Sequence, residues 1–328
     1  MDYSAAVAFL GSDDSYLLST HLNADGDGYG AMLALGELLT RMGRTYRIVL
    51  SDEKVNEKLS FLPGFDRIEC LGDVERKGPV GRAIFVDTPA IARERVGDVA
   101  LLVGDETRTL IIDHHRGHSD EGDVRLVDPD ASAASELVYR LIECTNVPMA
   151  PEMATQVYAG IVFDTKLFKF SNPRRALKVC AELADLGADP EGIADALFAQ
   201  QSYETVKTLG VALSNLVLHL DGRLSVLSID HDTYLLGGDL DTVVDRATAI
   251  EGVEVYLFFK EEKPGRHRVS LRSRGGVDVS QIAEAFGGGG HRNASGCVID
   301  GPLEKAQAAL LAEVERRWAD SEQHQRAE

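Results

Sequence analysis

The chain of 328 residues contains no run of about 18 consecutive apolar residues, which argues against a membrane-spanning helix. Cysteine is scarce: Cys70, Cys144, Cys180 and Cys297 lie far apart and form no Cys-x-x-Cys pair. Neither a disulfide framework nor a zinc–thiolate site is suggested, and a reducing cytoplasm is the expected compartment. The first residues lack a basic stretch and a small-residue cleavage site before Asp13-Asp14, so no secretory leader is expected. Basic residues are also in deficit, with 34 Lys and Arg against 53 Asp and Glu, a formal net charge of −19. Proteins that grip long duplex nucleic acid neutralise phosphate over a broad basic surface. This chain cannot do so everywhere, so an anionic partner must be small or must meet metals and a local basic patch.

What is present is a globular composition, 44% hydrophobic and 27% charged, without a long low-complexity tract. The length favours two domains. In the first half, Tyr16 to Thr20, Tyr46 to Leu50, Ile68 to Leu71, Ala83 to Asp87 and Thr109 to Asp113 read as strands. Ala31 to Arg41 has a helical apolar pattern stopped at Gly43. Apolar strands separated by helices predict an α/β domain, a mostly parallel sheet with helices on both faces. From Ser132 to about Gly210 the pattern is almost wholly helical, punctuated by Pro148, Pro151, Pro173, Gly187 and Pro190.

The second half reads as a smaller mixed α/β domain. Leu216 to Leu220 and Leu224 to Ile229 flank Asp221-Gly222, a hairpin signal. Val253 to Phe259, His267 to Arg272 and Ser295 to Ile299 are further strands. Val279 to Phe286 and Leu303 to Trp318 are helices, with a frayed polar end from Asp320. The expected domains are residues 1–185, a helical linker at 186–215, a second domain at 216–320 and a tail at 321–328.

Four segments carry the chemistry. His21-Leu22-Asn23-Ala24-Asp25-Gly26-Asp27 follows the first strand, Asp87 ends Ala83-Ile84-Phe85-Val86, and Asp113-His114-His115 ends another strand. In a parallel sheet these ends share one edge, where open α/β folds place their sites. Asp164 ends a helical stretch, a poor place for an anion without a counter-ion. Each has a plainer reading: a turn and helix N-cap at 25–27, an Asx turn at Asp87, a satisfied structural histidine at 114–115. Their joint occurrence favours a site. Clustered carboxylates raise one another's pKa, and divalent cations relieve that repulsion. Carboxylate and imidazole ligands without thiolate suit Mn²⁺ or a similar ion, and two such ions support phosphoryl displacement.

The second domain holds Lys260, Lys263, Arg266, His267, Arg268, Arg272 and Arg274 in one short stretch. Strand alternation puts Arg268, Ser270, Arg272 and Arg274 on one face, where guanidinium forks suit phosphate; a solvated strand face is the alternative. Gly287 to Gly290 before His291 reads either as a connector or as backbone free to approach a phosphate or base.

The set His21-x-x-x-Asp25-x-Asp27, Val86-Asp87, Asp113-His114-His115 and Gly160-Ile161-x-x-Asp164-Thr165 resembles the four N-terminal motifs of the DHH phosphoesterase family. Gly288-Gly289-Gly290-His291 and Ala294-Ser295-Gly296 resemble its DHH-associated C-terminal domain, and the architecture is similar to the oligoribonuclease/3′-phosphoadenosine 5′-phosphate phosphatase branch. The resemblance implies a two-metal phosphoesterase using Mn²⁺, with Mg²⁺ the alternative. His21, Asp25 and Asp87 would hold one ion, and Asp27, Asp87, His114 and Asp164 the other, with Asp87 bridging. Asp87 and His115 would be catalytic, His115 facing the substrate phosphate or leaving group. Arg272 and His291 would bind the nucleotide from across an interdomain cleft, beside Ser270, Arg274, Gly288, Gly289 and Gly290.

The implied substrates are short 5′-phosphorylated oligoribonucleotides and small nucleotides. Cyclic or linear dinucleotides, and pyrophosphate or polyphosphate, are the alternatives. Long duplexes and membranes are not expected partners, and a homodimer is compatible. Ala31 stands where many relatives have serine, and Lys166 where glycine is common; both bear on substrate preference.

Overall fold

Short β-branched runs that are apolar on both faces need cover on each side of the sheet they form. The computed structural model describes residues 1–12, 15–73, 80–115, 120–169, 173–247, 249–274 and 276–325. Its chain divides into two compact units, Met1–Gln200 and Gln201–Glu328. That division falls within residues 186–215, a segment with helices on either side of the boundary.

In the first unit, β1 (Tyr16–Ser19), β2 (Tyr46–Leu50), β3 (Ile68–Cys70), β4 (Arg82–Val86), β5 (Arg108–Asp113) and β6 (Val124–Val127) form one sheet. Its order is β3-β2-β1-β4-β5-β6, and every pair is parallel. The helices are α1 (Ser4–Leu10), α2 (Gly26–Arg41), α3 (Arg93–Val96), α4 (Ala134–Glu143), α5 (Pro151–Asp164), α6 (Pro173–Asp185) and α7 (Pro190–Ala194). Alternate strand residues feed two cores. Leu18, Ile48, Ile84, Leu110 and Ile112 pack on the side of α2, α4 and α5. Leu17, Val49, Ala83 and Phe85 pack with Val96 and Val99 on the other. The expected parallel sheet with helices on both faces is therefore present. Strand β6 was not anticipated, because Val-Arg-Leu-Val is short and polar at its second position. The order reverses direction between β1 and β4, and the crevice above that switch is where open α/β sheets bind ligands.

The second unit has β7 (Val217–His219), β8 (Leu224–Ile229), β9 (Val255–Lys263), β10 (Arg266–Ser273), β11 (Gly289–His291) and β12 (Ala294–Asp300). The helices are α8 (Tyr203–Ser214), α9 (His231–Leu236), α10 (Leu240–Ala247), α11 (Val279–Glu284) and α12 (Leu303–Gln325). The sheet is mixed, ordered β11-β12-β10-β9-β8-β7, with only the β8–β9 pair parallel. Val269 and Leu271 of β10 pack with Ile282, Leu310, Val314 and Trp318, while Tyr256 and Phe258 of β9 pack with Ala212, Val243 and Val244. Helix α12 extends to Gln325, past Asp320 where the polar end begins. Residues 326–328 of the expected tail lie outside the described residues. Among the described residues no helix is long and apolar enough to cross a membrane.

Helix α2 must lie close to α5 to present its first turn at the switch point. At their crossing a Cβ added to Gly30 would meet the Gln156 carbonyl oxygen at 2.4 Å and the Gly160 Cα at 3.2 Å. Backbone cannot yield as a flexible side chain can. Gly30→Ala is therefore expected to destabilise the protein by about 2–3 kcal/mol, measured by denaturant unfolding. Unchanged stability would contradict the close crossing.

Candidate metal centre

The end of β1 is tied to its neighbours before the first candidate ligand. Ser19 Oγ donates to the Val49 carbonyl at 2.7 Å and Thr20 Oγ1 to the Val86 carbonyl at 2.9 Å. His21 Nδ1 lies 2.8 Å from the Leu22 carbonyl oxygen, which can only accept, so Nδ1 carries the proton and Nε2 is the free nitrogen of the neutral ring. The loop then passes through Asn23 at φ +57°, and the amides of Asn23 and Ala24 donate to the Asp52 carboxylate at 2.8 and 3.0 Å. Asp25 caps α2 by accepting from the Asp27 amide at 3.0 Å. This cap starts the helix at Gly26, earlier than the Ala31 suggested by apolar periodicity. The plainer reading of Asp25 as an N-cap and its place in the cluster both hold.

Asp27 is fully buried. Its Oδ2 accepts from the Ala134 amide at 2.6 Å and its Oδ1 from the Ser135 amide at 2.9 Å, so it also caps α4. Asp87 sits at φ +54° immediately after β4, while its amide continues the sheet by donating to the Ile112 carbonyl at 2.8 Å. A non-glycine residue held in the left-handed region costs about 1–3 kcal/mol. The turn aims the carboxylate over the sheet edge instead of along β4.

The side chains meet there. His21 Nε2 is 3.4 Å from Asp87 Oδ2 and 3.9 Å from Asp25 Oδ1. His114 Nε2 faces three carboxylates, at 3.3 Å from Asp87 Oδ1, 3.7 Å from Asp164 Oδ2 and 4.0 Å from Asp27 Oδ2. His115 is half exposed, its Nδ1 2.8 Å from Asp113 Oδ1 and 3.7 Å from Asp87 Oδ1. His21, Asp25 and Asp87 form one ligand-competent triad, and Asp87, His114 and His115 a second; Asp87 belongs to both. The structure thus brings His21, Asp25, Asp27, Asp87, His114 and Asp164 together, with His115 at the rim.

This donor set fits divalent cations. Asp87 Oδ1 is buried without a well-formed hydrogen bond, and its nearest imidazole nitrogen is His114 Nε2 at 3.3 Å, so it has capacity to meet a cation. Burial raises the pKa of Asp27, and the charges of Asp87 and Asp164 raise it further. Burial alone would lower His21, but Asp25 and Asp87 outweigh it and raise that imidazole to about 11. His114 is likewise raised against burial, to about 10, by Asp87, Asp27 and Asp164. Asp87 goes the other way, since His114 and His21 outweigh its burial and hold it low. The hydrogen bond to Asp113 raises His115. In the metal-free protein, protons thus do the neutralising that a cation would do.

Sequence reading missed three supports. Asp52 holds the loop between His21 and Asp25, Asp113 orients His115, and the amides of Ala134 and Ser135 fix Asp27. Asp113 stood out with His114 and His115 at the strand end, though not its task of orienting the ring; the other two had no local signal of their role. Lys166 lies at φ +48°, which accounts for a glycine preference at that place. Its ammonium lies over the Phe163 ring, 4.1 Å from the centroid, in a cation–π contact.

In the second unit, Arg268, Ser270 and Arg272 share one face of β10, and Lys260 Nζ donates to Ser270 Oγ at 2.8 Å. Arg268 is engaged by Glu262. Arg274 is exposed just past the end of β10. Gly289 and Gly290 pair with Gly296 and Ser295 in β12, and a Cβ at Gly288 would lie 2.2 Å from the Gly296 carbonyl oxygen. These glycines therefore have a packing reason of their own. His291 ends β11, and its side chain lies outside the described residues.

A six-stranded parallel sheet with acids and imidazoles gathered over its switch point is an α/β fold with a candidate metal centre in its ligand-binding crevice. The sequence matches the DHH family, N-terminal domain, over residues 15–161 and the DHHA1 domain over residues 209–320. It is 33% identical to the bifunctional oligoribonuclease and PAP phosphatase NrnA of Thermus thermophilus, across 90% of this chain and 88% of that protein. Against the NrnA of Bacillus subtilis it is 30% identical, across 87% and 90%. An exopolyphosphatase-related protein from Bacteroides fragilis has a similar solved structure, with a TM-score of 0.84 and 25% identity over 96% of this chain and 95% of that one. The chain belongs to the DHH family and is a phosphoesterase. That family depends on divalent metal.

Imidazole must be neutral to ligate, so if His21 and His114 are ligands, metal uptake near pH 7 expels their protons. Apparent Mn²⁺ affinity is therefore expected to rise with pH. Calorimetric titration in buffers of different ionisation enthalpy should register proton release at pH 7; uptake without release would contradict these assignments.

Proposed function

We propose that the protein hydrolyses short 5′-phosphorylated oligonucleotides to mononucleotides and converts 3′-phosphoadenosine 5′-phosphate to AMP, with two divalent ions, Mn²⁺ in preference to Mg²⁺. The observation that carries this reading is Asp87, shared by both ligand-competent triads at the switch point of a parallel sheet. Its similarity to two NrnA proteins named for these activities supports the substrate class. His21, Asp25 and Asp87 would hold one ion, and Asp27, Asp87, His114 and Asp164 the other. When bound, the ions neutralise the carboxylates and stabilise charge developing in an in-line displacement.

The chain's own groups do the positioning. Asp27 is fixed by the two α4 amides and Asp25 by the start of α2, so the ligands are held before metal arrives. Asp113 holds the His115 ring so that its Nε2 is available to the substrate phosphate or leaving oxygen. We assign phosphate recognition to the second unit, through Arg272 and His291, with Ser270, Arg274 and the backbone of Gly288–Gly290 beside them. The net charge of −19 favours short substrates over long duplexes, since cationic surface is limited. Four free thiols suit the reducing cytoplasm.

Purified protein with Mn²⁺ is expected to release mononucleotides from 5′-phosphorylated di- to pentanucleotides, and phosphate from 3′-phosphoadenosine 5′-phosphate, followed by chromatography. Absence of turnover across that panel with metal bound would refute the reading. Turnover confined to cyclic dinucleotides, or to pyrophosphate and polyphosphate, would move the protein to those substrates.

A further inference from the structure

One pocket of the first unit lies beside the metal centre and contains none of its candidate ligands. It is an open depression of about 550 Å³, within the range of small-molecule sites. One wall is the loop Leu22–Ala24, the three residues between His21 and Asp25; the other is the segment 51–56 that follows β2. Strands β1 and β2 are neighbours and parallel, so both walls rise from the same C-terminal sheet edge. The pocket thus shares the His21–Asp25 loop with the acid and imidazole cluster and opens on the β2 side of it.

Its lining is amphipathic. Leu22 is the part-exposed apolar residue, the buried Ala24 and Tyr29 form the floor with the Tyr29 ring stacked on Phe65, and Asn23 and Asn56 bring exposed side-chain amides. The Tyr29 hydroxyl accepts from the Asn56 amide at 2.8 Å, which fixes that wall. Asn56 Oδ1 accepts from the Lys58 amide at 3.2 Å, which turns its NH₂ toward other acceptors. Asp52 and Glu53 outnumber the one cation, Lys54, so the pocket is unsuited to a phosphate. An apolar edge at Leu22 beside several uncharged hydrogen-bonding groups, Asn23, Ser51 and Asn56, suits the uncharged part of a nucleotide, its base and ribose.

The two proposed reactions differ by one such group. In both, water attacks phosphorus, the P–O3′ bond breaks, and the 3′-oxygen leaves with the 5′-phosphorylated nucleoside and takes up a proton. In an oligonucleotide the attacked phosphorus also carries a second nucleoside through its 5′-oxygen, which stays on the phosphate product. In 3′-phosphoadenosine 5′-phosphate that position is empty. We propose that the pocket between Leu22–Ala24 and residues 51–56 is the subsite for this downstream nucleoside, a site that oligonucleotides fill and the bisphosphate does not. The inference rests on the function proposed above.

Two variants test it: Asn56→Ala, which removes an amide from the pocket, and Glu53→Trp, which fills it from an exposed position. Each is assayed with Mn²⁺ on a 5′-phosphorylated dinucleotide and on 3′-phosphoadenosine 5′-phosphate. The expected result is a fall of about tenfold in kcat/KM for the dinucleotide, mainly through KM, with the bisphosphate within twofold of wild type. Equal losses on both substrates, or no loss on either, would overturn the subsite while leaving the proposed function standing. Wild-type protein inert on both substrates would overturn the proposed function, and the subsite with it.

Discussion

Asp27 and Asp87 are both buried, and with Asp25 and Asp164 they converge on two imidazoles at one sheet edge. That concentration of negative charge in a protein interior is the constraint on which the rest of the first unit depends. Unrelieved, it would push the carboxylates to bind protons, as the raised Asp27 and Asp164 pKa values register. The fold answers with fixed donors, namely the amides at the starts of α2 and α4, and leaves the remaining charge for cations. A buried Asp87 oxygen without a well-formed hydrogen bond is what such a division of labour leaves behind.

Backbone geometry delivers these groups. Strand β4 cannot point Asp87 into the crevice while continuing as a strand, so the chain turns into the left-handed region at that residue. Asn23 makes a comparable excursion between His21 and Asp25, held by the Asp52 carboxylate. Helix α2 reaches the switch point only because Gly30 lets it lie against α5. Strain and close approach are concentrated around the charged cluster, and the apolar cores on both faces of the sheet offset their cost.

Much of this was legible in the sequence. The strands announce themselves as apolar β-branched runs, and His21, Asp87 and Asp113-His114-His115 sit where those runs stop. What stayed hidden is non-local. Ala134 and Ser135 reach Asp27 across more than a hundred residues, through backbone amides that carry no residue signature. Asp52 serves two amides, so its side-chain type says little about its task. Apolar periodicity placed the α2 start at Ala31 because the first turn is built from glycine and aspartate, and only the Asp25 cap reveals it. In the second unit, the Gly288–Gly290 run reads as an approach to a ligand. The structure adds a requirement from β12 that no local pattern contains.

The central claim is that one carboxylate, Asp87, joins two metal sites. Electron paramagnetic resonance of the protein loaded with two equivalents of Mn²⁺ tests it directly. An exchange-coupled pair is expected in the wild type and its loss in Asp87→Asn. Two uncoupled ions in the wild type, or coupling that survives the substitution, would contradict the bridging role.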